Sequence, residues 1–189
     1  VSPILGIWAS QNYTRYSLPT SYESIATTTV GAGGSASVEF TSIPSTYTHL
    51  QVRAIAKNAS TSTGYDFLFV QFNSDTASNY NTHYLEGNGT SALSAAATST
   101  AYVYAGNCSR SNASYTSMFA SSVIDILDYK NTNKFKTIRS LAGIDYNGSG
   151  GVDFQSGAWR STSAITSIKL YVGGANLSQY SHFALYGIL

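Results

Sequence analysis

The chain has 189 residues, 43% hydrophobic and only 10% charged, with Lys and Arg numbering 10 against 9 for Asp and Glu, a size that suits one domain with one core. A formal charge of +1 excludes the basic footprint that nucleic acid or an anionic membrane selects, and no charged tail is present. With 30 Ser, 20 Thr, 15 Tyr and 16 Gly the composition is that of strands and turns, and its hydroxyl-rich, weakly charged surface is common on proteins that live in assemblies. The single Cys108 rules out an internal disulfide and a cysteine-based zinc site.

Residues 1–20 precede any strand-like pattern. The opening Val1-Ser-Pro-Ile-Leu-Gly-Ile-Trp8 is apolar, lacks a basic leader and is too short for a signal core or a membrane span. It is expected to dock, through Ile4, Leu5, Ile7 and Trp8, onto a neighbouring subunit or a larger assembly, and the chain is read as soluble and made in a cytoplasm. From Ser21 to the end the hydrophobic period is two, punctuated by Gly and Asn clusters. In order, strands are expected at Glu23–Val30, Ala36–Ser42, His49–Lys57, Phe67–Asn73, Thr82–Glu86, Ala101–Ala105, Ser114–Ser122 running on into Val123–Leu127, Thr137–Ile144, Val152–Trp159, Ile165–Val172 and Phe183–Ile188.

Within these, His49–Lys57 alternates cleanly, with Leu50, Val52, Ala54 and Ala56 on one face. Phe67–Phe72 is apolar on both faces, which marks a central strand or one covered by another subunit; Phe67 and Phe69 are the candidate contacts. Gly31–Gly34 and Asn147–Gly151 read as hairpin connections, and Pro44 ends a strand because it cannot donate to a ladder. Ser91–Ala97 is too short and too small to make a buried helix. The fold class is all-β: one domain, residues 21–189, a two-sheet β-sandwich of jelly-roll-like type with about ten strands.

No nucleophile elbow, phosphate-cradling loop, zinc-protease helix or dinucleotide fingerprint occurs, and nine carboxylates with three histidines are thinly spread for acid–base work. The expectation is a protein that is not an enzyme and takes no cofactor or metal. Asp125 and Asp128, three apart in a strand, point to opposite faces and make no glycosidase pair; Asp125 is expected in a buried, partnered position and Asp128 at the start of a turn. Asp145–Asp153 imitates the start of a calcium loop but has Ser156 where a bidentate Glu is required. His49, His83 and His182 read as structural. Tyr80, Tyr84, Tyr102 and Tyr104 have the aromatic faces and polar tips that stack on sugars, although core packing or a subunit interface uses the same side chains.

Several stretches together resemble a known group. They are Ser21–Gly34 (SYESIATTTVGAGG), Phe40–Arg53 (FTSIPSTYTHLQVR), Val123–Tyr129 with Asn131–Lys134, Ile138–Gly143 with Asn147–Gly150, Gln179–Ile188 and the opening Ser2–Ser10. The chain resembles small β-sandwich virion proteins of tailed bacteriophages, including phages of cyanobacteria and marine bacteria; Ala59–Gly64 and Gly87–Asn112 fit that pattern least. The resemblance implies a virion structural protein present in many copies. In its first placement it is a capsid decoration or cement protein, a homo-oligomer, expected as a trimer, that binds the major capsid protein or other virion proteins and stabilises the shell. In the alternative it is a tail fibre or receptor-binding module that recognises host cell-surface glycans. The absence of a long fibrous or coiled-coil segment favours the shell. Neither placement involves nucleic acid or membrane.

Overall fold

The computed structural model describes residues 21–189; residues 1–20, and with them the docking candidates Ile4, Leu5, Ile7 and Trp8, lie outside the described residues. Alternation decides which side chains meet. The His49–Asn58 strand buries Leu50, Val52, Ala54 and Ala56 and turns Arg53 and Ile55 outward, as a period of two requires. Repeated along the described residues this gives twelve strands: β1 (Tyr22–Thr29), β2 (Ser37–Phe40), β3 (His49–Asn58), β4 (Tyr65–Phe72), β5 (Tyr80–Gly87), β6 (Ala92–Thr100), β7 (Val103–Arg110), β8 (Ala120–Leu127), β9 (Lys136–Asp145), β10 (Gly150–Trp159), β11 (Ile168–Val172) and β12 (His182–Ile188).

Four antiparallel pairs are nested one inside the next: β1 with β12, β2 with β11, β3 with β8 and β4 with β7. Lateral pairing of β12 with β3 and of β11 with β4 joins them into two four-stranded sheets, β1-β12-β3-β8 and β2-β11-β4-β7, which is the jelly-roll winding. The remaining four strands extend only the first sheet, in the order β8-β9-β10-β5-β6. The sheets also meet at one seam, where Lys57 and Asn58 of β3 run parallel to Ser109 and Arg110 of β7. Between them lies the main core, built from side chains such as Leu50, Val52, Leu68, Val70, Phe72, Ile124, Ile126, Leu170, Phe183 and Leu185, with a smaller cluster of Ala120, Ile144 and Tyr146 beside it. The core is closely fitted: Gly187 lies against the Tyr47 ring, where a Cβ would come within 2.3 Å of ring carbon.

Two expectations are corrected. β6 forms over Ala92–Thr100 where the sequence suggests no strand; its side chains are mostly small and exposed, so it presents little hydrophobic period to read. Conversely, Ser114–Phe119 is not the start of β8. Ala113–Tyr115 is a 3-10 turn, capped by the Asn112 side chain accepting the Ser114 N–H, and β8 begins at Ala120.

Where β7 crosses β9 and β10 the interior is polar. Asn107, Ser140, Asp153 and Gln155 are all buried. Asn107 Nδ2 donates to Asp153 Oδ2 (2.5 Å) and Ser140 Oγ to Gln155 Oε1 (2.9 Å), while Asn107 Oδ1, Asp153 Oδ1 and Gln155 Nε2 have no protein partner. Burial pushes the Asp153 carboxyl above its ordinary pKa of 3.8; the Asn107 hydrogen bond opposes this and the nearby Glu86 charge adds to it. The fold therefore holds the Asp153 proton more tightly than the unfolded chain does. Ionisation lowers stability, an effect absent below pH 3.8 and complete above the raised folded value. Asp153→Asn removes that charge and offers an N–H to Asn107 Oδ1. It is expected to stabilise the protein by about 1 kcal/mol at neutral pH, with the gain shrinking as the solution is acidified, measured by urea unfolding across the acid range.

Candidate functional site

In β10 the usual relation between polarity and face is reversed. Trp159 is only 2% exposed; its ring lies 5.6 Å from Phe72 and 6.3 Å from Tyr80, and its Nε1 donates to Asp75 Oδ2 (2.7 Å). At the same parity, Gly157 faces Val103 and Gly151 faces the Tyr65 ring, each so closely that a Cβ would fall within 2.5 Å of the neighbour. With a period of two, positions 151, 157 and 159 oblige 153 and 155 to point inward as well. Asp153 and Gln155 are thereby buried, and Val152 (62% exposed) and Phe154 (50%) are turned to the outside.

The cross-strand register carries this outward face across the sheet. Val123, Leu141, Phe154 and Leu85 are consecutive partners on β8, β9, β10 and β5, and all four are exposed. One step along the strands runs a second row, Ile55, Ser121, Gly143, Val152 and Gly87, in which Ser121 and Gly143, between Ile55 and Val152, are too small to fill the space beside the first. A trough results. Its part over β3, β8 and β9 has a volume of about 580 Å³, edged by Arg53, His182 and Tyr186. It shares Ser121, Gly143 and Val152 with a wider depression of about 760 Å³ that reaches Met118, Phe119 and the β9–β10 hairpin. A contiguous exposed apolar face of this kind marks an interaction surface.

Polar groups border the apolar row on its other side. Asp125 accepts from Gln51 Nε2 (2.8 Å) and pairs with Arg139 (3.2 Å), while Arg53 Nε donates to Gln51 Oε1 (3.0 Å). Asp125 is thus partnered, as the sequence suggests, but it stands at the surface of this face rather than buried. Asp128 opens a turn and pairs with Lys134 and, at 3.6 Å, with His49. Asp145 accepts the Asn147 N–H at the hairpin, and Asp153 points into the interior, so the calcium-like segment splits its carboxylates between two faces. His182 bonds Thr29 and His83 is exposed. Among the described residues no group of three or more His, Cys, Asp or Glu side chains could hold a metal ion.

The residues singled out from sequence collect elsewhere. Phe67 and Phe69 lie on β4, a central strand of the four-stranded sheet, and their outer faces are covered by the chain's own tyrosines. Phe69 stacks on Tyr102 (4.1 Å) and meets Tyr171 edge-on (5.5 Å); Phe67 stacks on Tyr104 (4.8 Å) and lies 5.3 Å from Tyr84. All six rings are half-buried. Desolvation raises the hydroxyl pKa of Tyr104 and Tyr171. Tyr80 is not part of this patch: it is fully buried, accepting from the Phe72 N–H (3.0 Å) and donating to Asp75 O (3.1 Å), which removes it as a sugar-stacking residue. Leu85, Leu141, Val152 and Phe154, by contrast, are site residues that the sequence reading did not single out; the signal for Val152 and Phe154 is Trp159 and Gly157 at the opposite parity of the same strand.

No protein-family model, curated protein or solved structure matches the chain.

The orientation of the two faces predicts a contrast in denaturation midpoints. Phe154→Thr on the outer face is expected to change stability by no more than about 1 kcal/mol, whereas Ile138→Ala, on the buried face of neighbouring β9, costs about 2–5 kcal/mol.

Proposed function

We propose that the chain is a non-enzymatic structural component of a phage particle, a capsid decoration protein that binds the shell as a homo-oligomer and strengthens it. The observation that carries this reading is the outward apolar row Val123, Leu141, Phe154 and Leu85, held on an eight-stranded sheet. Such a face suits adhesion: it buries apolar area over a broad front, loses little conformational freedom on docking because its side chains stand on strands, and gains strength when symmetry repeats a modest contact many times. The polar line of Gln51, Asp125 and Arg139 would fix the docking direction, as charged rims do. The resemblance to virion proteins supplies the setting, and a trimer on local threefold axes is the arrangement proposed for it.

A second reading draws on the cluster of Phe67, Phe69, Tyr84, Tyr102 and Tyr104. Its half-exposed rings are a surface on which sugars could stack, which suits a module at the tail tip.

Quantitative mass spectrometry and electron microscopy of purified particles separate the readings. Hundreds of copies spread over the head, with incorporation lost in Leu141→Asp, are expected; a few copies at the tail tip, with glycan binding lost in Tyr104→Ala, would establish the second reading instead. Absence from particles would sink both.

A further inference from the structure

We propose that β6, an edge of the eight-stranded sheet, pairs antiparallel with β6 of a second copy about a two-fold axis, so that the sheets of two copies become one. The proposal rests on the reading of the chain as a homo-oligomer and names a contact that joins its copies.

A sheet edge offers backbone N–H and C=O groups to any incoming strand, and proteins guard it with charge, bulges, brevity or a covering segment. Among the described residues the other three edges are guarded in these ways. β1 carries Glu23 and a bulge between Ser24 and Ala26. β2 is four residues long and carries Glu39, which pairs with Lys169. β7 lies against the first sheet, where its Tyr104 and Asn107 N–H groups donate to Thr82 Oγ1 and Ser122 Oγ, and its end is joined to β3. β6 has none of these guards along its length. It runs for nine residues with mostly exposed side chains and pairs, among the described strands, with β5 alone. Its register is regular from Ala92 to Ala97, and no charged residue or proline occurs from Gly87 to Ser109.

That neutrality identifies the occupant. In a two-fold antiparallel pair each side chain meets its own counterpart or a close neighbour, so a charge on the edge would face a like charge. A distinct partner imposes no such condition, since opposite charges could then select it. The register follows as well. A two-fold axis normal to the sheet keeps outward residues outward, so residues of the same parity meet. Centring the pair on Ser94 sets its hydroxyl against that of Ser94 in the second copy, a favourable cross-strand match. It also places Ala92 against Ala96 and the exposed Leu93 against Ala95, large beside small. About four to six backbone hydrogen bonds close the seam.

The seam extends the outward face. Ser94 is the cross-strand partner of Leu85 and so continues the row of Val123, Leu141, Phe154 and Leu85. A depression of about 510 Å³, lined by Leu85, Phe154, Ser94 and Ala96, carries that face as far as β6. Joined at Ser94, two copies turn their apolar rows to the same side and in one line. On a shell this contact would run between neighbouring threefold clusters, which two-fold axes relate.

Sedimentation of the full chain is expected to show a reversible doubling of mass with concentration. Ser94→Asp and Ala96→Asp, both at exposed positions, should each weaken that association roughly tenfold or more with the circular dichroism unchanged; the second variant covers the case in which the first fails to fold. Ser94→Lys should weaken it alike, whereas an equimolar mixture of Ser94→Asp and Ser94→Lys should restore the doubled species, because each side chain then faces its opposite. No doubling up to about 1 mM overturns the pairing. Doubling indifferent to both aspartates, or a mixture that stays undoubled, overturns it as well. Particle uptake tests the docking face separately: uptake of a chain that never doubles would sink the edge contact alone, and doubling without uptake would sink the docking face alone.

Discussion

The burial of Trp159 fixes which face of β10 lies inside. Its indole fills the end of the core between Phe72 and Tyr80 and holds Asp75 through its N–H. A strand cannot change parity without a bulge, and the pairing of β10 with β9 and β5 runs without one. Seating the indole therefore commits every residue from Trp159 back to Gly150. Asp153 and Gln155 pass into the interior, and Val152 and Phe154 pass out of it. Interior polarity and exterior greasiness are two results of one anchored ring.

The polar interior is tolerable because most of its groups find partners nearby. Asn107 serves Asp153, Ser140 serves Gln155, and the Tyr65 hydroxyl donates to Glu86 at 2.6 Å. Lys136 shows the same economy: fully buried, it donates to the carbonyls of Asn131, Lys134 and Thr162, pinning two loops. Desolvation draws its pKa below the ordinary value, a trend opposed by Asp128 and reinforced by Lys134. Asp66 is the converse case. Burial disfavours its charge, but hydrogen bonds from Arg110 and Asn58 outweigh that and hold its pKa below the usual carboxylate value.

Much of the architecture was legible in the residues. The alternation in His49–Asn58, the two-sided apolarity of Phe67–Phe72 and the glycine turns led to an all-β sandwich with a central β4, and the nested winding agrees with a jelly roll. Three of the four tyrosines weighed for sugars came together with Phe67 and Phe69 because β4, β5 and β7 are spatial neighbours. What stayed hidden was the sign of the pattern. Val-Asp-Phe-Gln in β10 alternates cleanly, and alternation gives two faces without saying which is inside. The choice falls to contacts distant in sequence, Trp159 against Phe72 and Gly157 against Val103, which no local window contains. β6 escaped for a different reason: exposed alanines, serines and threonines leave no period to detect.

The nesting of the strand pairs also sets an order of events during synthesis. The last strand, β12, lies between β1 and β3, so among the described residues β1 has no neighbour to join until residues 182–188 have been made. Contacts this far apart in sequence close slowly. The first sheet cannot be completed on a ribosome still holding the end of the domain, and any ribosomal stall or truncation before β12 leaves an open edge on β3 ready to pair with whatever strand comes by.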